Sequence, residues 1–427
     1  MRHSSARIRI AVLAAVGVVA VVLAYWIQRP QDPVVDVAEA HPPGRWHFDP
    51  AELAEDGKDA ELARVLSLPY VAGKAPAPSQ AGVLQHEPSL AFSGLNLYVS
   101  GHGPEARLID MEGGLIHRWE YSFECAFPEK KGDLDTAYFR RAHLLTSGEL
   151  LVIFQGGGMI KLDRDSNLLW RSDLPYFNHL SVAPDGSIYS ITKQATTRPE
   201  IRQGETILED AIVVLSPDGE LLQRISLLDC FETSPAAANL QPFPSHADIL
   251  HTNTVELIRS NPPEPFYPYR QGDLLVSLRE VDIVAFVDPL QCTVRHAWRG
   301  PWRAQHQPVL LPSSRILLFD NKGAGDHSRV LEFDVTTDEI VWEYYGDDAD
   351  PLASPEAGSC QRLANGNTLI TDSERGRAIE IAPDGARAWV FVSPHRAGRR
   401  GELIATLFDV VRYPTSELRF LELDAGE

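Results

Sequence analysis

One strand–turn–strand signature recurs six times between Leu97 and Trp389 of this 427-residue chain. A repeat of that length restricts the fold more than any single motif does. Gly148-Glu-Leu-Leu-Val-Ile-Phe154 is followed by Met159 to Trp170, and Gly366-Asn-Thr-Leu-Ile-Thr-Asp372 by Ala378 to Trp389. Each unit is a turn, an apolar strand, a loop, a strand ending near Asp, a tight Asp/Asn/Gly turn and a strand reaching Trp. Turn residues that tolerate positive φ, set between alternating apolar runs, mark antiparallel hairpins. Further copies run from Leu97 to Trp119, Gly186 to Ile225 (without Trp), Gly272 to Trp298 and Arg315 to Trp342. Six copies spaced by roughly 40 to 60 residues predict an all-β, six-bladed β-propeller. A β-sandwich is the competing architecture, but it does not repeat one signature six times. Two apolar runs between Leu403 and Leu423 offer a strand to complete the first blade and close the ring.

In a propeller, residues just before the first strand of each blade face the central channel. Those positions hold Arg141-Ala142-His143, Asn178-His179, His246 to His251 with Asn253, Gln305-His306-Gln307, and Ser359-Cys360-Gln361. A lone histidine at a strand start usually satisfies a backbone carbonyl. Several of them converging on one axis line a polar site instead. Arg279 ends the apolar strand Leu274-Leu-Val-Ser-Leu-Arg279, beside the strand bearing His251 and Asn253. A guanidinium there suits bidentate binding of a tetrahedral oxyanion; the competing reading is a salt bridge to Glu280 or Asp282. No His-x-His, HExxH or CxxC pattern is present, so no metal and no other cofactor is expected.

The formal net charge is −20, from 59 acidic against 39 basic side chains. Such a polyanion repels nucleic acid, and an anionic substrate needs a locally cationic cleft. Arg2, Arg7 and Arg9 precede an apolar run of 18 residues from Ile10 to Ile27. That pattern predicts a single transmembrane helix within residues 1–28, with the remaining chain on the periplasmic, extracytoplasmic side of the cell membrane. A cleaved signal peptide is the alternative, although Tyr25 and Trp26 fit a cleavage site poorly. Residues 29–87 read as a Pro-rich spacer with a short helix near 51–68, and residues 88–427 as the propeller. Cys125, Cys230, Cys292 and Cys360 allow up to two disulfides in an oxidising compartment, or free buried thiols, with no pairing indicated.

The motifs, taken in order, resemble the bacterial arylsulfotransferase family. Asp248-Ile-Leu-His251-Thr-Asn253 is similar to the family's Asp, His and Asn on one strand, and Leu274 to Arg279 to the strand that follows. Gln305-His306 through Asp320-Asn321 is similar to the segment with the reactive histidine, and Ser328 to Asp334, Ile340 to Trp342 and Gln361 to Ile370 extend the likeness. The resemblance covers roughly residues 88–395. It implies transfer of a sulfuryl group from a phenolic sulfate ester to a phenol, without a nucleotide donor, through a sulfohistidine. It also implies His306 as nucleophile, with His251 and Arg279 binding sulfate oxygens, Asn253 positioning them and His179 as the remaining channel histidine. The chain departs from larger members at Asn178-His179-Leu180, where they carry His-His-Asp, and at Gln307, where an acid is common. Neutral imidazole is a competent nucleophile near pH 7. Two other functions compete. A non-catalytic envelope propeller predicts splayed histidines or a channel blocked by Phe177 or Tyr267. A metal-dependent hydrolase or lyase needs three or more ligands converging on one point.

Overall fold

The computed structural model describes residues 72–421, apart from 131, 133–136, 264–266, 326, 348 and 399. The expected membrane helix in residues 1–28 and the short helix near 51–68 lie outside the described residues. Among the described residues no helix is long and apolar enough to cross a membrane.

Five four-stranded antiparallel sheets and one five-stranded sheet form the six blades of a propeller. Their innermost strands, in blades 1 to 6, are Leu407–Tyr413, Arg141–Leu144, Tyr176–Val182, Thr252–Leu257, His306–Leu310 and Ser359–Arg362. The apolar core lies between blades: each neighbouring pair encloses its own cluster of buried aliphatic and aromatic side chains. This explains a pattern that simple alternation does not. Second and third strands, such as Leu150–Phe154 and Ile283–Asp288, are buried at every position because a blade covers each face. Only outermost strands such as Leu168–Ser172 alternate between half-buried and exposed.

In four of the six blades the repeated tryptophan donates a hydrogen bond to the next blade. The indole Nε1 of Trp119 donates to Gly148 O at 3.1 Å, Trp170 to Pro217 O at 3.0 Å, Trp298 to Asp338 Oδ1 at 2.8 Å and Trp389 to Met111 O at 2.8 Å. Gly219 has φ +84°, and a Cβ there would sit 2.7 Å from the Trp170 ring, so the turn beneath that indole requires glycine. Blade 3 has Ile225 where the others carry Trp, and its junction with blade 4 is covalent. Cys230, in the helix Leu227–Glu232, forms a disulfide with Cys292, at the turn before the outer strand Thr293–Arg299. Cys125 and Cys360 are free.

The ring closes as the C-terminal apolar run suggests. Leu407–Tyr413 pairs with Leu95–Ser100 to complete blade 1. Arg412, fully buried, bonds Asn96 Oδ1 at 2.7 Å, pairs with Glu380 of blade 6 and lies over the Trp389 ring. Part of the span read as spacer is built into the propeller. Gly82–His86 adds a fifth strand to blade 6, and residues 72–77 run beside the connection that leads into the closing strand.

The Cys230–Cys292 bond spans 62 residues and anchors the base of the loop that delivers Asp248 and His251. Cys230→Ser is expected to lower stability by about 2–4 kcal/mol, read from urea unfolding with and without reductant. An unchanged midpoint would show that packing alone holds this junction.

Candidate functional site

The blade-to-blade connections lie on one face of the propeller. Each first strand leaves that face and each second strand returns to it, so the turn Arg279–Val281 lies there as well. His251, His306 and Arg279 therefore come to one end of the channel from blades 4 and 5. The backbone at that end is unusual. Asn178, His251 and Gln307 have φ of 57°, 47° and 45°, and each lies at or beside an irregularity in its inner strand's pairing. Left-handed conformations at non-glycine residues are costly and persist where the surroundings hold them. Here they break the alternation of the strand and turn side chains toward the axis.

His306 is buried, and its tautomer is set by Asn321. Asn321 Nδ2 donates to Ser354 O at 2.6 Å and Ala357 O at 2.8 Å, so its Oδ1 is the acceptor facing His306 Nδ1 at 2.8 Å. Ala304 O lies 3.0 Å from the same nitrogen. Nδ1 thus carries the proton and Nε2 the lone pair. Burial, then the Arg279 guanidinium, push the imidazole's pKa down to about 3, against the favourable Asn321 bond. The segment is bolted in place by Gln305, whose Nε2 donates to Ser277 Oγ and Ile283 O, both at 3.0 Å. Arg329 donates to Pro301 O at 2.6 Å and to Asp320, which accepts from Arg303 N at 2.9 Å.

His251 has a different support. Its Nδ1 donates to Asp248 Oδ2 at 2.6 Å, and Lys193 Nζ lies 2.6 Å from both oxygens of that carboxylate. Asp210 lies 3.8 Å from Lys193 and accepts from Thr252 N. Burial raises the Asp248 pKa, but Lys193 and His251 outweigh it and hold the carboxyl well below the usual range. Burial and Lys193 lower the His251 pKa, opposed by Asp248. The imidazole is thereby kept neutral, with Nε2 as its acceptor nitrogen.

Arg279 is engaged as the salt-bridge reading has it, and by more than one carboxylate. It pairs with Glu280, as one expectation had it, and its NH2 reaches Glu356 Oε2 at 2.5 Å, while Asp282 instead accepts from Ala304 N at 2.8 Å. Glu356 is also held by Lys322 Nζ at 2.9 Å and its side chain is 40% exposed. The Arg279 charge is felt at both His251 and His306.

Asn253 and His179 are buried in the framework around this group. Asn253 Nδ2 donates to Gln305 O at 2.8 Å, and its Oδ1 accepts from Thr254 Oγ1 at 3.0 Å, so it steadies the backbone leading into His306. His179 donates from Nδ1 to Val255 O at 3.0 Å and its Nε2 accepts from Arg141 NH2 at 2.9 Å, which commits both ring nitrogens. Arg141 in turn pairs with Asp409 Oδ2 at 2.7 Å. Phe177 lies against Lys193, at 5.4 Å from its Nζ, and Tyr267 packs on Tyr269 with centroids 6.0 Å apart. His246, half-exposed, pairs with Glu280 at 3.0 Å. Asn321 and Lys193 are supports to which sequence reading assigned no role, while Asp248, already named in the strand motif, supports His251. Arg140, buried over the Phe408 ring at 4.8 Å, is a further cation whose charge reaches His306.

A neutral, tautomer-fixed imidazole that feels an arginine's charge, at one end of a propeller's axis, is an arrangement chemically suited to an anionic group. The chain belongs to the arylsulfotransferase family: the family described as Arylsulfotransferase (ASST) matches residues 141–394, more than half of the chain. No curated protein matches it. Among solved structures, a protein of unknown function from Bacteroides caccae is 12% identical with a TM-score of 0.50, over 75% of this chain and 99% of its own. A streptogramin B lyase is 10% identical with a TM-score of 0.43, over 81% and 96%. A catalytically inactive virginiamycin B lyase from Staphylococcus aureus is 9% identical with a TM-score of 0.41, over 75% and 92%. The Bacteroides likeness is one of fold alone.

Glu356 holds the outer side of Arg279 and competes with any incoming anion. Glu356→Gln is expected to tighten binding of inorganic sulfate about fivefold, the effect of removing roughly 1 kcal/mol of competing attraction. Calorimetry of the full-length protein reads this, and Arg279→Ala should lose the binding. Equal affinity in wild type and Glu356→Gln would mean that the carboxylate yields without cost.

Proposed function

We propose that this protein is an aryl-sulfate sulfotransferase, working from a phenolic sulfate ester to a phenol acceptor through a sulfohistidine at His306. The observation that carries the reading is the Asn321–His306 pair, which leaves Nε2 with its lone pair in a site with Arg279 nearby. In the first half-reaction the Nε2 lone pair attacks sulfur, the N–S bond forms, and the S–O bond breaks with its electrons leaving on the phenoxide. In the second, the acceptor phenol oxygen attacks the same sulfur and the N–S bond returns its electrons to Nε2. His251 takes the proton from the acceptor oxygen and gives it to the next departing phenoxide, with Asp248 stabilising the imidazolium between the two steps. Arg279, released from Glu356, binds the sulfuryl oxygens as charge grows on them. Sulfuryl transfer resembles phosphoryl transfer, in which positioning and oxyanion stabilisation supply most of the catalysis. Asn253 and His179 act by positioning, through Gln305 and Arg141. The proposal includes the N-terminal anchor in residues 1–28, with the propeller on the extracytoplasmic side; the Cys230–Cys292 disulfide supports an oxidising compartment.

The test is single-turnover release of nitrophenol from its sulfate ester by the full-length protein. His306→Ala is expected to abolish the burst, and Arg279→Ala to slow it by about 10²–10³. A full burst from His306→Ala would refute the covalent route.

The pH dependence is a separate check, since a nitrophenoxide leaves without a proton. An ordinary histidine near 6.5 would lose about tenfold in neutral form between pH 7.5 and 5.5. His306, with its pKa lowered to about 3, stays unprotonated across that range. The burst rate is therefore expected to change less than about twofold, and a tenfold loss would contradict the assignment.

A further inference from the structure

Blade 1 carries a second group of ligand-type side chains, well away from His306. His102 lies in the turn between the second and third strands of that blade, and Glu105 begins the third strand, Glu105–Ile109. His395 lies in the connection from blade 6 to the closing strand Leu407–Tyr413. By strand direction, all three are on the face that also bears His251 and His306, but on the opposite side of the ring from blade 4. All three also fall outside the family match at residues 141–394.

We propose that His102, Glu105 and His395 bind one divalent transition-metal ion of the zinc class and clamp the ring-closing connection to blade 1. One nitrogen from each histidine and one Glu105 oxygen lie within 4.8 Å of one another. Two imidazoles and a carboxylate are the ligand set of open zinc sites, in which three protein ligands leave a further position for water. The imidazoles are already oriented by outer partners, as metal-binding histidines are. Ser100 Oγ lies 2.5 Å from His102 Nδ1, and Tyr98 Oη lies 3.1 Å from His395 Nε2. His102 Nε2 points at Glu105 Oε1, 2.6 Å away. His102 and His395 are only partly buried, so an ion can reach them from solvent.

The fit requires movement, and the size of that movement is definable. Ligand atoms on one zinc ion, with bonds of about 2.0–2.1 Å, sit about 3.3 Å apart. The trio must therefore close inward by no more than roughly 1.5 Å. The two histidine rings now stack with centroids 3.4 Å apart and 10° between planes, and they must tilt open to converge. Arg107 opposes the ion, because it holds the same Glu105 oxygen; Arg118 lies 3.4 Å from the other oxygen, and the Arg396 charge acts on His395. Arg107 has a second partner in Tyr98, so releasing Glu105 does not leave it unbonded. A Kd of about 1–10 µM is expected, weaker than at a closed site with four ligands.

Calorimetric titration of the chelator-treated full-length protein with zinc chloride tests this without using activity. One equivalent should bind, and His102→Ala and His395→Gln should each weaken it at least tenfold. Cobalt(II) should give a visible absorption band that His395→Gln removes. Thermal unfolding in chelator checks that each variant is folded, and zinc should raise the Tm of wild type only. Zinc binding of equal affinity and stoichiometry in the His102→Ala/His395→Gln double variant would overturn the proposal, as would absence of binding at zinc concentrations tenfold above the expected Kd.

Discussion

Everything at the channel depends on the pairing of Leu407–Tyr413 with Leu95–Ser100. Until those two ends of the chain meet, blade 1 is incomplete and two blade faces lack their cover. Closure aligns six inner strands around one axis and leaves no apolar blade face without a neighbour. The buried Arg412 makes that seam specific, because its partners come from blade 1 (Asn96) and blade 6 (Glu380). Blades 1, 2 and 4 use a simpler device, a Trp indole donating to the next blade, and between blades 5 and 6 Arg362 lies over the Trp342 ring. Where blade 3 lacks the indole, a disulfide stands at its junction instead. A ring held at every junction can carry strained backbone on its axis, and the left-handed Asn178, His251 and Gln307 are placed there.

The site reconciles a chain of net charge −20 with an anionic ligand. Arg279, Arg140 and Arg141 gather around one end of the channel, and the nearby carboxylates are engaged with cations. Asp248 is held by Lys193, Asp409 by Arg141, and Glu356 by Arg279 and Lys322. Burial and this positive field keep His306 and His251 neutral. The same cations that would bind a sulfuryl group in the proposed reaction thus also keep His306 Nε2 unprotonated. The two histidines are supported differently, one by a neutral amide and one by a carboxylate. That difference suits one for nucleophilic attack and the other for proton exchange.

Much of this was legible in the sequence. The sixfold signature and its terminal Trp predict the propeller, and the apolar run after Leu403 predicts its closing strand. His251 and His306 stand out because their offsets from strand starts recur, and Arg279 because it ends an apolar strand beside the one bearing His251. Other features depend on contacts that no local pattern encodes. Asn321 reads as one more strand residue until Ser354 and Ala357, more than thirty positions later, take its amide protons. Lys193 reads as a solvated strand lysine, yet it is buried against Asp248 from the next blade. The bulges at Asn178, His251 and Gln307 carry no glycine to announce positive φ. Cys230 pairs with Cys292 because two blades meet there, and their spacing alone indicates no pairing. His102, Glu105 and His395 come together only when the ring closes, since they lie near opposite ends of the propeller sequence.

The reaction proposed for this site turns on a bond from His306 Nε2 to sulfur. The most direct measurement is peptide mapping by mass spectrometry after rapid quench of the full-length protein with an aryl sulfate and no acceptor. An N-linked sulfuryl group should be lost in acid and retained in alkali. One SO₃ increment is expected on the peptide containing His306, removed when a phenol acceptor is added before the quench. An increment on a peptide containing His251 or His179, or phenol release with no modified peptide, would contradict it.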